Sequence, residues 1–122
     1  MKGGASAIDP RLENGRALFN AHRFFEAHDA WEEVWREAAG PRRIFLQGLI
    51  QIAAGLLKDQ RGAPGSAARL LEMGLAKLAA EVRPSRALRE FAGRVDDFAR
   101  ARRGGDTEHR EYPHLPPLSD VE

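Results

Sequence analysis

Apolar residues recur along this chain at intervals of three and four, and no stretch alternates apolar with polar for long enough to form a strand. That spacing places apolar side chains on one side of a helix, so the chain reads as all-α throughout. A first helix is expected from about Pro10 to His22. Asp9 can accept from its free N–H groups, and Pro10 fits the first turn, where its missing N–H costs nothing. Leu12, Leu18 and Phe19 turn inward. A second helix is expected from about Phe24 to Ala39. At 100° per residue, Phe24, Ala27, Trp31, Val34, Trp35 and Ala38 share one arc of about 100°. Glu26, Asp29, Glu33 and Glu37 fall on the far side, in water, and His28 and Glu32 sit at the edge of the apolar arc.

Gly40-Pro41 closes the second helix and opens a third, from about Pro41 to Arg61. Its Ile44, Phe45, Leu46, Leu49, Ile50, Ile52, Leu56 and Leu57 point nearly all round, which makes it the central, most buried helix. Gly62-Ala63-Pro64-Gly65-Ser66 is a turn. A fourth helix then runs to about Val82, with Leu71, Leu75, Leu78 and Val82 on its apolar side. Arg83-Pro84-Ser85 breaks it, because Pro84 disfavours helical geometry at Arg83. Ser85 caps a fifth helix to about Arg103, with Leu88, Phe91, Val95 and Phe98 inward. The short connections imply a compact bundle of about five helices with mostly antiparallel neighbours. Residues 1–8 are expected to be flexible, 9–103 to form the single helical domain, and 104–122 to be an acidic, proline-containing tail, extended and only partly ordered.

Composition narrows the chemistry. A length of 122 residues fits one domain. There is no cysteine, which excludes disulfides, thiolate zinc sites, iron–sulfur clusters and a cysteine nucleophile. No apolar run is long enough to span a membrane, and MKGGASAIDP has no apolar core of a secretory signal, so the cytoplasm is the default location. Nineteen basic residues nearly balance eighteen acidic ones, so bulk charge names no partner. The charge is uneven locally. Arg83 to Arg103 holds seven Arg against Glu90, Asp96 and Asp97, and the tail from Gly104 holds five acids against Arg110. A basic helix can bind phosphate backbones, but no aromatic side chain interleaves the exposed Arg positions. A solvated face neutralised by the chain's own tail is the preferred reading, and nucleic acid is disfavoured.

Two polar features stand out. His28 and Glu32 lie one turn apart on one helix, with Trp35 one turn further, and side chains so spaced meet on one face. A carboxylate beside an imidazole raises its basicity and fixes its tautomer, as a general base requires. Gln47 and Gln51 lie one turn apart on the otherwise apolar third helix. A buried amide without partners costs on the order of 1–3 kcal/mol, so these imply partners. If the second and third helices pack antiparallel about Gly40-Pro41, Glu32 faces the stretch from Gln47 to Gln51, and Gly48 lets a backbone or a ligand come close. The same residues could equally form a satisfied packing network that fixes helix pairing. No zinc-protease, di-iron, phosphate-loop, dinucleotide-binding or serine-nucleophile motif is present.

The run FFEAHDAWEEVW over 24–35, followed by GPRRIFLQGLIQIAAG over 40–55, resembles the domain-of-unknown-function family 309. Its hallmark falls here on His28, Glu32, Trp35, Gly40-Pro41 and Phe45 to Gln51. The resemblance covers roughly 14–82 and implies a compact helical bundle with no assigned activity. Members often carry His near the position of Lys58 and Asn near that of Ala63, and this chain departs from the family at both.

The expectation drawn from all this is a pocket between the second and third helices that binds a small polar ligand or an anion, and that could be catalytic. His28 and Glu32 would supply the chemistry, with Glu32 orienting His28 as the general base. Trp35 would form a wall, Gln47 and Gln51 would read the ligand, and Arg42 or Arg43 would stand at the mouth. One His and one carboxylate are too few for a metal when Glu26 and Asp29 point away, so neither metal nor cofactor is expected. The competing reading is a structural or protein-interaction domain. Neither ligand identity nor oligomeric state is fixed by these residues.

Overall fold

The computed structural model describes residues 9–80 and 85–118. Five helices follow in order: α1 (Pro10–Asn20), α2 (Phe24–Glu37), α3 (Gly40–Gln60), α4 (Pro64–Ala80) and α5 (Arg86–Arg103). There is no strand among the described residues. Residues 1–8, Val82 and the break at Arg83-Pro84 lie outside them.

Local chemistry explains where the helices begin and end. The Asp9 carboxylate accepts from the Arg11 backbone N–H at 2.9 Å, and Pro10 occupies the first turn. The Ser85 hydroxyl accepts from Leu88 N–H at 3.1 Å and starts α5. Three helices end in the same way, with a left-handed residue after the last turn. At Gly62 and Gly105 glycine takes that conformation at no steric cost. At the end of α1 the residue is His22, with φ of 65°. There His22 N–H bonds to Phe19 C=O and Arg23 N–H to Leu18 C=O, which turns the chain into α2.

Consecutive helices pack antiparallel, as specific contacts show. Between α1 and α2, Arg11 pairs with Glu37, Trp31 Nε1–H donates to Leu12 C=O, and Phe19 meets Phe24 edge to face. Gly15 lies flat beneath the Trp31 indole, where a Cβ would overlap the ring. Between α3 and α4, Gly48 faces Gly74 while Gly55 faces Ala67 and Leu71. A Cβ on Gly48 would sit 2.9 Å from Gly74 O, so the close approach that Gly48 allows is to the α4 backbone. Between α4 and α5, Arg103 at the end of α5 pairs with Glu72 midway along α4, while Leu78 near the end of α4 shares a hollow with Leu88 at the start of α5. α3 is the central helix: Phe45, Leu46, Leu49, Ile50, Ile52, Ala53 and Leu56 are buried along it. Ile44 departs from the expected pattern and is 45% exposed. It lies just past the first turn of α3, near the start of that helix.

The tail departs further. Residues 106–118 run extended, but they are packed rather than loose, and Pro113, Leu115 and Leu118 are buried. The Asn20 side-chain amide donates to Leu115 C=O at 3.0 Å and accepts from Leu115 N–H at 2.8 Å. Arg16 donates to the same carbonyl, and Leu118 N–H reaches Glu13. Tyr112 joins a ring cluster with His22, Phe24 and Phe98. This segment straps α1 to α5.

Candidate functional site

α2 presents its apolar stripe to α1 and α3, with Ala27, Trp31 and Val34 buried and Glu26, Asp29, Glu33 and Glu37 exposed. His28 and Glu32 fall at the stripe's edge, and each keeps about a third or less of its side chain exposed. Trp35 is half-buried at the same edge. The residues form α2 because the apolar positions repeat with the helical period, not because of a side-chain cap, which α2 lacks.

The register between α2 and α3 is fixed at two points. At one end the Arg43 guanidinium lies over the Trp35 ring, 3.9 Å from its centroid, and donates to Ala38 C=O. At the other, Gln60 donates to His22 C=O at 3.0 Å. An antiparallel pairing through those points sets His28 at the level of Gln51 and Glu32 at the level of Gln47.

That juxtaposition does not become a hydrogen-bond network. His28 Nε2 lies 3.8 Å from Glu32 Oε2, too far for a hydrogen bond, so the expected His28–Glu32 bond is not made. Glu32 turns its other oxygen towards Arg36 at 3.4 Å. No side-chain hydrogen bond joins His28 or Glu32 to Gln47 or Gln51 among the described residues. Among the described residues, three side-chain atoms are buried with no hydrogen-bond partner: His28 Nδ1, Trp35 Nε1 and Gln51 Oε1. All three belong to the cluster singled out from the sequence.

The two candidate arginines part company. Arg43 stacks on Trp35. Arg42 is exposed and lines a hollow of about 280 Å³ with Asp9, Arg11, Val34 and Glu37, beside α1. Asp29 stays exposed as expected, yet its carboxylate does not point away from His28: Oδ1 lies 3.6 Å from Nδ1.

A second polar cluster escaped the sequence reading. The Arg102 and Asp59 side chains are buried and paired, Nε to Oδ1, at 2.5 Å. Arg102 also donates to the carbonyls of Asp106 and Glu108, and its guanidinium lies over the Phe98 ring. Hydrogen bonding to Asp59 holds Arg102 protonated well above its ordinary range. Burial, and then the nearby Asp59 charge, push the Tyr112 hydroxyl up. The signal was present: Arg102 follows Val95 by seven and Phe98 by four, on the apolar face of α5. The expected neutralisation of α5 by the tail takes a different form. Arg100 pairs with Asp96, Arg103 with Glu72, and the tail's Asp106 with Arg110. A cleft of about 440 Å³ opens between α5 and the strap, lined by Arg94, Phe98, Tyr112 and His114 among others.

No helix among the described residues is long and apolar enough to cross a membrane. Against known families, residues 12–70 match the one described as Domain of unknown function (DUF309). No curated protein and no solved structure matches the chain.

Proposed function

The chain belongs to the DUF309 family through residues 12–70, and from that premise we propose that its α2–α3 face is a binding site for a small polar ligand. His28, Glu32, Trp35 and Gln51 form its core, Gln47 and Arg43 flank it, and Arg42 stands apart towards α1. His28 and Glu32 can both accept a proton; Glu32 already faces Arg36, so His28 is the general base if the site turns a substrate over.

One observation carries this reading. His28 Nδ1, Trp35 Nε1 and Gln51 Oε1 are buried without hydrogen-bond partners. Each such atom costs on the order of 1–3 kcal/mol, and most buried polar groups find a partner, so three gathered in one cluster call for an explanation. A packing network is stabilising only when its members are satisfied. A ligand that bonds to these atoms accounts for their retention. The charges refine its class. Arg36 is engaged by Glu32 and Arg43 lies on Trp35, while two carboxylates flank His28. That balance favours a ligand that donates hydrogen bonds or carries positive charge over an anion.

Native mass spectrometry of the purified chain tests this. Wild type is expected to carry a small-molecule adduct that Gln51→Leu and Trp35→Phe lose, with both variants folded by circular dichroism. No adduct on wild type, together with lowered melting points in both variants, would overturn the proposal in favour of a packing role.

A further inference from the structure

We infer that His28, Asp29 and Glu32 form a binding site for a divalent transition-metal cation, zinc-like in its preference for mixed nitrogen and oxygen donors. The inference rests on the reading above, that this face is kept for a ligand, and assigns the charged part of that ligand.

One ring nitrogen of His28 and one carboxylate oxygen each from Asp29 and Glu32 lie within 4.8 Å of one another. They are not consumed by bonding to each other. The separations, 3.6 Å from Nδ1 to Asp29 Oδ1 and 3.8 Å from Nε2 to Glu32 Oε2, exceed a hydrogen bond. They start from different ring nitrogens, and an ion takes one of the two, so the spread that counts is the 4.8 Å within which one nitrogen and both carboxylate oxygens lie. A tetrahedral ion holds donors bound at about 2.0–2.2 Å roughly 3.3–3.6 Å apart, so binding draws the carboxylates in by side-chain rotation. A second observation is independent of this spacing. His28 Nδ1 is buried and has no hydrogen-bond partner, so the imidazole is not committed to a structural bond.

The placement suits an open site. All three residues lie within two turns of one helix, which sets their Cα positions rigidly. His28 and Glu32 are half-buried while Asp29 is exposed, so a cation can enter from solvent and keep positions for water or a ligand beyond its protein donors. With the imidazole neutral, the three donors carry two negative charges, offset in part by Arg36 on Glu32. A cation complements that balance. Magnesium and calcium favour all-oxygen sites, whereas imidazole suits zinc, cobalt and their neighbours.

The test uses the full chain after treatment with a chelator. Zn²⁺ is titrated by calorimetry, and Co²⁺ by visible absorption as a spectroscopic stand-in. One equivalent is expected to bind, with a cobalt band typical of four-coordination and no competition from Mg²⁺. His28→Ala should abolish binding, and Asp29→Asn and Glu32→Gln should each weaken it by at least the roughly 10–100-fold that losing a supporting partner costs. Circular dichroism melts confirm that each variant is folded. No cobalt band with wild type, or binding that survives His28→Ala and therefore sits on another histidine, would overturn the inference. Its failure is distinguishable from that of the ligand reading: an adduct lost in Gln51→Leu but kept in Asp29→Asn would leave the polar-ligand site standing without a metal.

Discussion

Among the described residues two polar clusters stand out, one buried around Arg102 and one half-buried around His28, and they are built on opposite terms. Around Arg102, every strong polar group is answered: the guanidinium bonds Asp59 and two strap carbonyls, and nearby Asn20 bonds both backbone groups of Leu115. Around His28 the partners stop short, and three buried atoms bond to nothing. The first cluster ties the end of the chain to α1 and α5, which is work done by satisfied bonds. The second leaves those three atoms unanswered. On the proposed ligand reading, the first cluster holds the fold and the second is what the fold holds in readiness.

Mutations at the two clusters should diverge accordingly. The largest effect is expected from Arg102→Ala, which leaves the Asp59 carboxylate buried and unpaired and frees two strap carbonyls. Breaking a buried pair on one side costs about 3–5 kcal/mol, read as a lower urea midpoint. A midpoint close to wild type would erase the contrast between the clusters. Asn20→Ala comes next. It strands the N–H of Leu115, leaves its C=O to Arg16 alone, and should cost on the order of 1–3 kcal/mol, with faster proteolysis within residues 106–118. Unchanged proteolysis would mean that the strap is held by Pro113, Leu115 and Leu118 packing alone.

Surface pairing adds a smaller, pH-dependent layer. Arg11 holds the Asp9 and Glu37 carboxyls below their ordinary range, Arg103 does so for Glu72, and Arg110 for Asp106. A carboxyl lowered in the folded state contributes stability that is present above its unfolded value, about pH 4, and is lost as pH falls through the folded value. Melting points should hold from neutral pH down to about pH 4 and fall below it, and Arg11→Gln should blunt the fall. An acid limb identical in Arg11→Gln would show that these pairs are screened out by solvent.

Much of the fold was legible because helices write their period into the sequence. The inward positions Leu88, Phe91, Val95 and Phe98 are all buried, and Gly40-Pro41 turns the chain where expected. Ile44 misled because periodicity says which side is apolar, not whether a neighbour reaches that far. The strap was illegible for a different reason. Residues 106–118 have no periodicity, and the group that fixes Leu115 is Asn20, 95 positions away. The Arg102–Asp59 pair spans 43 positions. The arginine is one of many on α5, and charge counting assigned them all to solvent. For the candidate site, the sequence named residues of α2 and α3 that the antiparallel pairing sets at one level. It could not distinguish a contact of 3.0 Å from one of 3.8 Å, and that difference decides whether the cluster is a network or a set of uncommitted groups.

The most direct measurement is the melting point of Gln51→Leu against that of wild type. Leucine matches the volume roughly and removes a buried oxygen that has no partner. Functional groups are commonly held at a cost in stability, so the variant should melt at or above wild type while losing its adduct. A melting point several degrees below wild type would show that Gln51 does structural work, and the account of the α2–α3 face as a ligand site would be wrong.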